Sequence, residues 1–232
     1  MSEPWTLDRL LDGSVDHVAG QLRRLRQDQP DDYRELVRQW TAQRYPELTP
    51  LERHVAVFDP DGDGVLDLVD TWTACRDMGG TRWTSLKATT ITMAAIFRLK
   101  WVPWSMPISR VAELSHPAVH SGGFRADGTA DTIDDTVAEM MASGGPQCPL
   151  KLGRNHIADH MQRVAGASSA PRAEVRDAGR ISALEWPVML DFTDGEADED
   201  TLRSLFLGSL FFELLRPEAL AARMVAGRSS AG

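Results

Sequence analysis

The chain is short of cysteine, of long apolar runs and of positive charge, and each shortage narrows what it can be. Two cysteines occur in 232 residues, Cys75 and Cys148, with no Cys-x-x-Cys spacing. That usage suits a reducing cytoplasm and argues against a disulfide framework. The longest apolar stretch, "ITMAAIF" at 91–97, is ended by Arg98 and Lys100. A spanning helix needs about 20 apolar residues, so no transmembrane segment is expected. The opening "MSEPWTLDRLLDG" has no basic segment followed by an apolar run, so no secretory signal is expected either. Lys and Arg number 25 against 34 Asp and Glu, giving a net charge of −9. That balance argues against a nucleic-acid partner, because phosphate neutralisation needs clustered cations.

What remains is an ordinary globular composition, 42% hydrophobic and 25% charged. Strand signals are few, and the pattern predicts a mainly α-helical protein. Leu7, Leu10, Leu11, Val15, Val18 and Leu22 recur at spacings of three and four, an amphipathic helix. Pro30 breaks it, and Asp31 is expected to cap the next helix, "DDYRELVRQWTAQRY". Thr49 with Glu52 makes a capping box that opens a helix carrying His54. A helix through "LVDTWTACRDMG" should end at Gly79-Gly80, and an apolar one should cover 84–100. "WVPWSMP", 101–107, reads as an irregular corner, 108–145 as loop and then helix, and "PLKLGRNHIADHMQRVAG" as helix. The last third reads as two helical runs around an acidic turn. Three regions follow: an N-terminal helical extension at 1–48, one helical domain at 49–220, and a flexible tail at 221–232.

Chemistry concentrates in "LERHVAVFDPDGDGVLDLVDTWTACRDMG", 51–79. Counting Asp59 as position 1, positions 1, 3, 5, 6, 7, 9 and 12 are Asp59, Asp61, Asp63, Gly64, Val65, Asp67 and Asp70. This is the EF-hand pattern: carboxylates at 1, 3 and 5 and a backbone carbonyl at 7 surround a hard cation, and glycine at 6 allows the turn. Position 12 is Asp where Glu is usual, and its shorter reach lowers affinity or shifts the loop toward magnesium. EF-hands usually pair. The best second candidate is "DFTDGEADEDTL", 191–202, where no register puts glycine at 6 behind acids at 1, 3 and 5. It reads as a degenerate, structural partner.

Calcium takes oxygen, so His54, five residues ahead of the first ligand, needs another role. The segment resembles the caleosin family, whose signature runs Leu-x-x-His-Val-Ala-Phe-Phe-Asp-x-Asp-x-Asp-Gly. "AVHSGG" at 118–123, "GRISALEWPVMLDF" at 179–192 and "LFLGSLFFELL" at 205–215 resemble three further family segments, in order, across about 50–217. The resemblance implies a haem- and calcium-dependent peroxygenase that moves oxygen from a hydroperoxide to an unsaturated lipid or other small organic substrate. It carries two haem b histidines onto His54 and His120. Whether His120 is a second axial ligand or a distal acid–base group stays open. The family's long apolar anchor corresponds to 84–107, which here is short and interrupted by charge. A soluble, cytoplasmic protein is expected, with peripheral membrane contact through Trp101 and Trp104 as the competing reading. Two alternatives to the peroxygenase stand: a non-catalytic calcium-binding protein in which His54 merely packs, and a haem protein of this fold catalysing a different reaction in a biosynthetic pathway.

Other features read blandly. His116/His120 and His156/His160 have zinc-compatible spacing, but Pro117 disfavours a helix at the first pair, and His156 and His160 read as solvated helix histidines. Trp72, Trp83 and Trp186 read as core, as do Phe58, Phe211 and Phe212, with lining of a haem pocket as the alternative for the three phenylalanines.

Overall fold

In the computed structural model the described residues are 5–98, 105–113, 133–142, 151–153, 160 and 187–229. The protein is mainly helical, as its periodicity predicts. The helices are α1 (Leu7–Leu10), α2 (Val15–Asp28), α3 (Pro30–Arg44), α4 (Pro50–Ala56), α5 (Leu68–Asp77), α6 (Arg82–Arg98) and α7 (Ile133–Ala142). They continue with α8 (Glu199–Leu207), α9 (Leu210–Leu214) and α10 (Pro217–Ser229). A 3-10 helix covers Ile108–Glu113, and residues 187–191 are helical. No helix among the described residues is long and apolar enough to cross a membrane. Trp101, Trp104, Trp186, Cys148, His116, His120 and His156 lie outside the described residues.

Local rules explain most boundaries. Ser14 caps α2 by accepting the His17 N–H at 3.4 Å. Gly79, at φ 87°, ends α5 in the left-handed region where a Cβ is penalised. At α3 the cap is Gln29 and Pro30 opens the helix, so Asp31 is a first-turn residue and not the cap expected. There it pairs with Arg34 at 3.3 Å.

One apolar core joins the two ends of the chain. Val18, Leu22 and Leu25 of α2 face α10, whose Leu220, Ala221 and Met224 are buried. Trp40 of α3 meets Phe212 edge-on at 5.5 Å, and Tyr33 donates its hydroxyl to the Glu213 carbonyl at 3.0 Å. The expected tail is therefore corrected: residues 221–229 continue a helix, because burial of Ala221 and Met224 supplies what helix propensity alone does not. The N-terminal helices share that core rather than extending from it.

The strands are what local pattern missed. β1 (Val65–Asp67) pairs antiparallel with β2 (Ser105–Pro107), and β3 (Lys151–Gly153) with β4 (Glu196–Asp198). Lys151–Gly153 is thus strand where helix was expected, and Ser105–Pro107 strand where a corner was. Each ladder buries its central pair, Leu66 against Met106 and Leu152 against Ala197. The strand of the acidic loop finds its partner at 105–107 and not in the 191–202 turn, a correction of the expected pairing. Three-residue strands carry no periodic signal, so partner choice is tertiary.

Candidate functional site: an acidic loop beside a buried imidazole

α4 delivers the chain to the loop. Thr49 Oγ1 accepts the Glu52 N–H at 3.3 Å while Glu52 Oε2 accepts the Thr49 N–H at 2.8 Å, the capping box read from sequence. The loop folds around Asp59, which is buried. Its Oδ1 accepts the Gly62 and Asp63 N–H groups at 2.9 and 3.2 Å, and its Oδ2 accepts the Gly64 N–H at 3.0 Å. Gly62 and Gly64 stand at φ 76° and 82°, where side chains are disfavoured, so both glycines are required by the turn. Carboxylate oxygens of Asp59, Asp61 and Asp63 all lie within 4.8 Å of one another. Three anions at that separation repel, and a divalent cation is the chemistry that reconciles them. The donor set, all oxygen, fits calcium or magnesium.

The other candidates divide. Val65 sits at the turn into β1, its N–H donated to Asp63 Oδ1 at 2.8 Å. Asp67 stands apart from the triad, its side chain capping α5 by accepting the Asp70 N–H at 2.8 Å. Asp70 also lies outside the triad yet responds to it. Its carboxyl is pushed up to about 6, first by burial and then by the charges of Asp67, Asp61, Asp59 and Asp63. Burial likewise raises Asp59.

The 191–202 turn repeats this geometry without the ligands. Gly195 takes φ 87°, as Gly64 takes 82°, but its N–H donates to the Leu190 carbonyl at 2.7 Å where Gly64 uses a carboxylate. Asp198 caps α8 through the Thr201 N–H at 2.8 Å, as Asp67 caps α5. Leucine and phenylalanine at 190 and 192 fill the places of Asp59 and Asp61. It is a structural turn.

His54 lies in the last turn of α4 and is 9% exposed. Its ring packs on Phe211 with centroids 4.5 Å apart, and Phe211 meets Phe58 at 5.4 Å. The glycine at 208, in the turn between α8 and α9, lets that arrangement close. A Cβ there would lie 2.4 Å from the Pro50 carbonyl, 2.9 Å from Arg53 Cβ and 3.1 Å from the His54 backbone nitrogen. A buried imidazole packed against Phe211 offers a ring nitrogen, the donor type that haem iron takes as an axial ligand. Sequence reasoning placed Phe211 in the core, with lining of a haem pocket as its alternative, and did not pair it with His54. The Gly208-Ser209 pair ahead of "LFFELL" was the available signal.

Two bland readings are corrected. His160 is buried at 1% exposure rather than solvated, because which face of a helix is covered depends on neighbours far along the chain. Trp83 is 64% exposed, with Lys87 Nζ 5.8 Å from its ring centre, and is not core. Phe58, Phe211 and Phe212 are buried as expected.

These features define, among the described residues, a helical protein whose acidic triad could hold a metal ion, on the loop that follows the helix of a buried histidine. A family model described as caleosin related protein matches residues 46–123, a stretch shorter than half of the chain. The match takes in the capping box, His54, the whole acidic loop and His120. No curated protein and no solved structure matches the chain.

Proposed function

We propose that the protein is a haem-dependent peroxygenase-like enzyme, moving oxygen from a hydroperoxide to a small organic or lipid substrate, with a structural calcium ion. The observation that carries this reading is the buried His54 imidazole, backed by Phe211, on the helix that runs directly into the Asp59–Asp61–Asp63 triad. Haem would supply activation of the peroxide O–O bond with no reductase. The chain's own part is to hold and shield. His54 provides an imidazole nitrogen, Phe211 packs against that ring, and the capping box together with the loop fixes the two ends of α4. His120 is the second histidine of the proposal, as axial ligand or acid–base group. Asp59, Asp61 and Asp63, the Val65 carbonyl, Asp67 and Asp70 are the proposed cation ligands. Of these, Asp67 would have to release its cap or reach the ion through water.

Absorption spectroscopy after reconstitution with hemin is the test. The wild-type chain should show a Soret band that His54→Ala loses, and product should form with a hydroperoxide alone. A chain that stays colourless but binds calcium would leave the non-catalytic calcium-binding reading in its place.

A further inference from the structure

The ends of the two helices that flank the acidic loop are both held from one place, the C-terminal helix α10 and the residue before it. At the entering helix, the Val55 and Ala56 carbonyls accept the Phe58 and Asp59 N–H groups at 2.9 and 3.3 Å. The Val57 carbonyl, two residues before Asp59, instead accepts Arg223 Nη1 at 2.7 Å. At the exiting helix, the Asp77 carbonyl accepts the Arg216 backbone N–H at 2.8 Å and Arg216 Nε at 3.3 Å. Last-turn carbonyls are the unsatisfied acceptors of a helix, and a cation suits that end of the dipole. Among the described residues these contacts reach across 166 and 139 positions of chain, so they bind the frame of the loop to a helix outside the family-matched stretch.

We propose that Arg223 is a positioning residue for the cation site: by fixing the Val57 carbonyl it sets where Asp59 begins the loop, and so sets calcium affinity. The proposal rests on the calcium reading of the loop. Arg223 is well suited to hold a fixed position. Burial lowers its pKa direction first, and the nearby Tyr45, Asp77 and Asp59 oppose that shift, so its charge is held among partners in a largely desolvated place. A guanidinium near the site also repels a cation, and the two effects have opposite signs. The direct contact is to the backbone: Arg223 Nη1 lies 2.7 Å from the Val57 carbonyl, two residues ahead of Asp59. That hydrogen bond places the backbone from which the first ligand projects, so positioning sets the expected sign, and loss of Arg223 weakens binding. By reciprocity, calcium must then tighten the docking of α10.

The experiment is calcium titration of the full chain by isothermal calorimetry, for wild type, Arg223→Met, Arg223→Lys and Arg23→Ala. The last removes the Arg23–Glu218 pair, which also ties α10 to α2 but lies away from the loop. Arg223→Met should weaken calcium binding about tenfold, within the usual range for coupled sites, with partial recovery in Arg223→Lys and no change in Arg23→Ala. Hydrogen exchange on the wild type supplies a readout that needs no variant to fold. Added calcium should slow exchange in 217–229 beyond any slowing in α7. Equal affinities for wild type and Arg223→Met, or exchange in 217–229 that follows α7, overturns the proposal. Wild type that binds no calcium overturns the ion reading itself, and is told apart because the first titration is then flat.

Discussion

Replacing Gly208 by Ala is the sharpest test of how the His54 helix is held. The new methyl group would enter at 2.4 Å from the Pro50 carbonyl and 2.9 Å from Arg53 Cβ, both inside van der Waals contact, and at φ 83°. Left-handed backbone costs a non-glycine residue about 1–2 kcal/mol, and forced overpacking about 1–3 kcal/mol. The sum, about 2–5 kcal/mol, is a large part of the roughly 5–15 kcal/mol that holds a domain folded. Gly195 separates the two contributions, because it has φ 87° and no atom within 4 Å of a built Cβ. Gly195→Ala should therefore lose only the backbone part, about 1–2 kcal/mol. Urea unfolding of both variants, followed by circular dichroism, gives the comparison directly. The contact part should also displace α4, so Gly208→Ala should weaken hemin binding where Gly195→Ala does not. Equal destabilisation by the two substitutions would refute the close approach of the α8–α9 turn to α4.

Three other outcomes are expected. Calcium at about 100 times its Kd should stabilise wild type by about 2.7 kcal/mol, and Asp59→Asn with Asp61→Asn should erase the difference between melting in calcium and in chelator. Glu213 is buried and its carboxyl is raised, by burial first, while Ser209, Ser204 and Arg38 oppose the shift. A raised folded value means its favourable contribution is complete below the ordinary glutamate range and is lost as pH rises through the folded value, so Glu213→Gln should gain stability relative to wild type between acidic and neutral pH. Parallel stability curves for the two proteins would contradict that sign. Cys75 is fully buried with its thiol pushed up to about 12 by burial, and alkylation at pH 8 should leave its peptide unmodified until the chain is unfolded.

Motifs whose cause is local were legible, and contacts whose cause is distant were not. The capping box at Thr49 and Glu52, the glycines at 64 and 79, and the close grouping of Asp59, Asp61 and Asp63 each follow from residues a few positions apart. Such spacing is a property of the chain itself. The degenerate nature of the 191–202 turn was legible for the same reason, since a leucine at 190 offers only its carbonyl. By contrast β2 and β3, three residues each, exist because a distant strand accepts their hydrogen bonds. The helical course of 221–229 follows from α2, and the exposure of Trp83 from where α6 sits in the fold.

By itself, then, the sequence determined an acidic loop of oxygen donors and a histidine on the helix that enters it, because helix pitch and turn stereochemistry act over a few residues. Only the tertiary structure decided that Phe211 backs that histidine, that Gly208 lets α8 and α9 close on α4, and that Arg223 holds the carbonyl ahead of Asp59. Those partners are separated by more than 150 positions, and no local energy term links them until the core of α2, α3, α9 and α10 has formed.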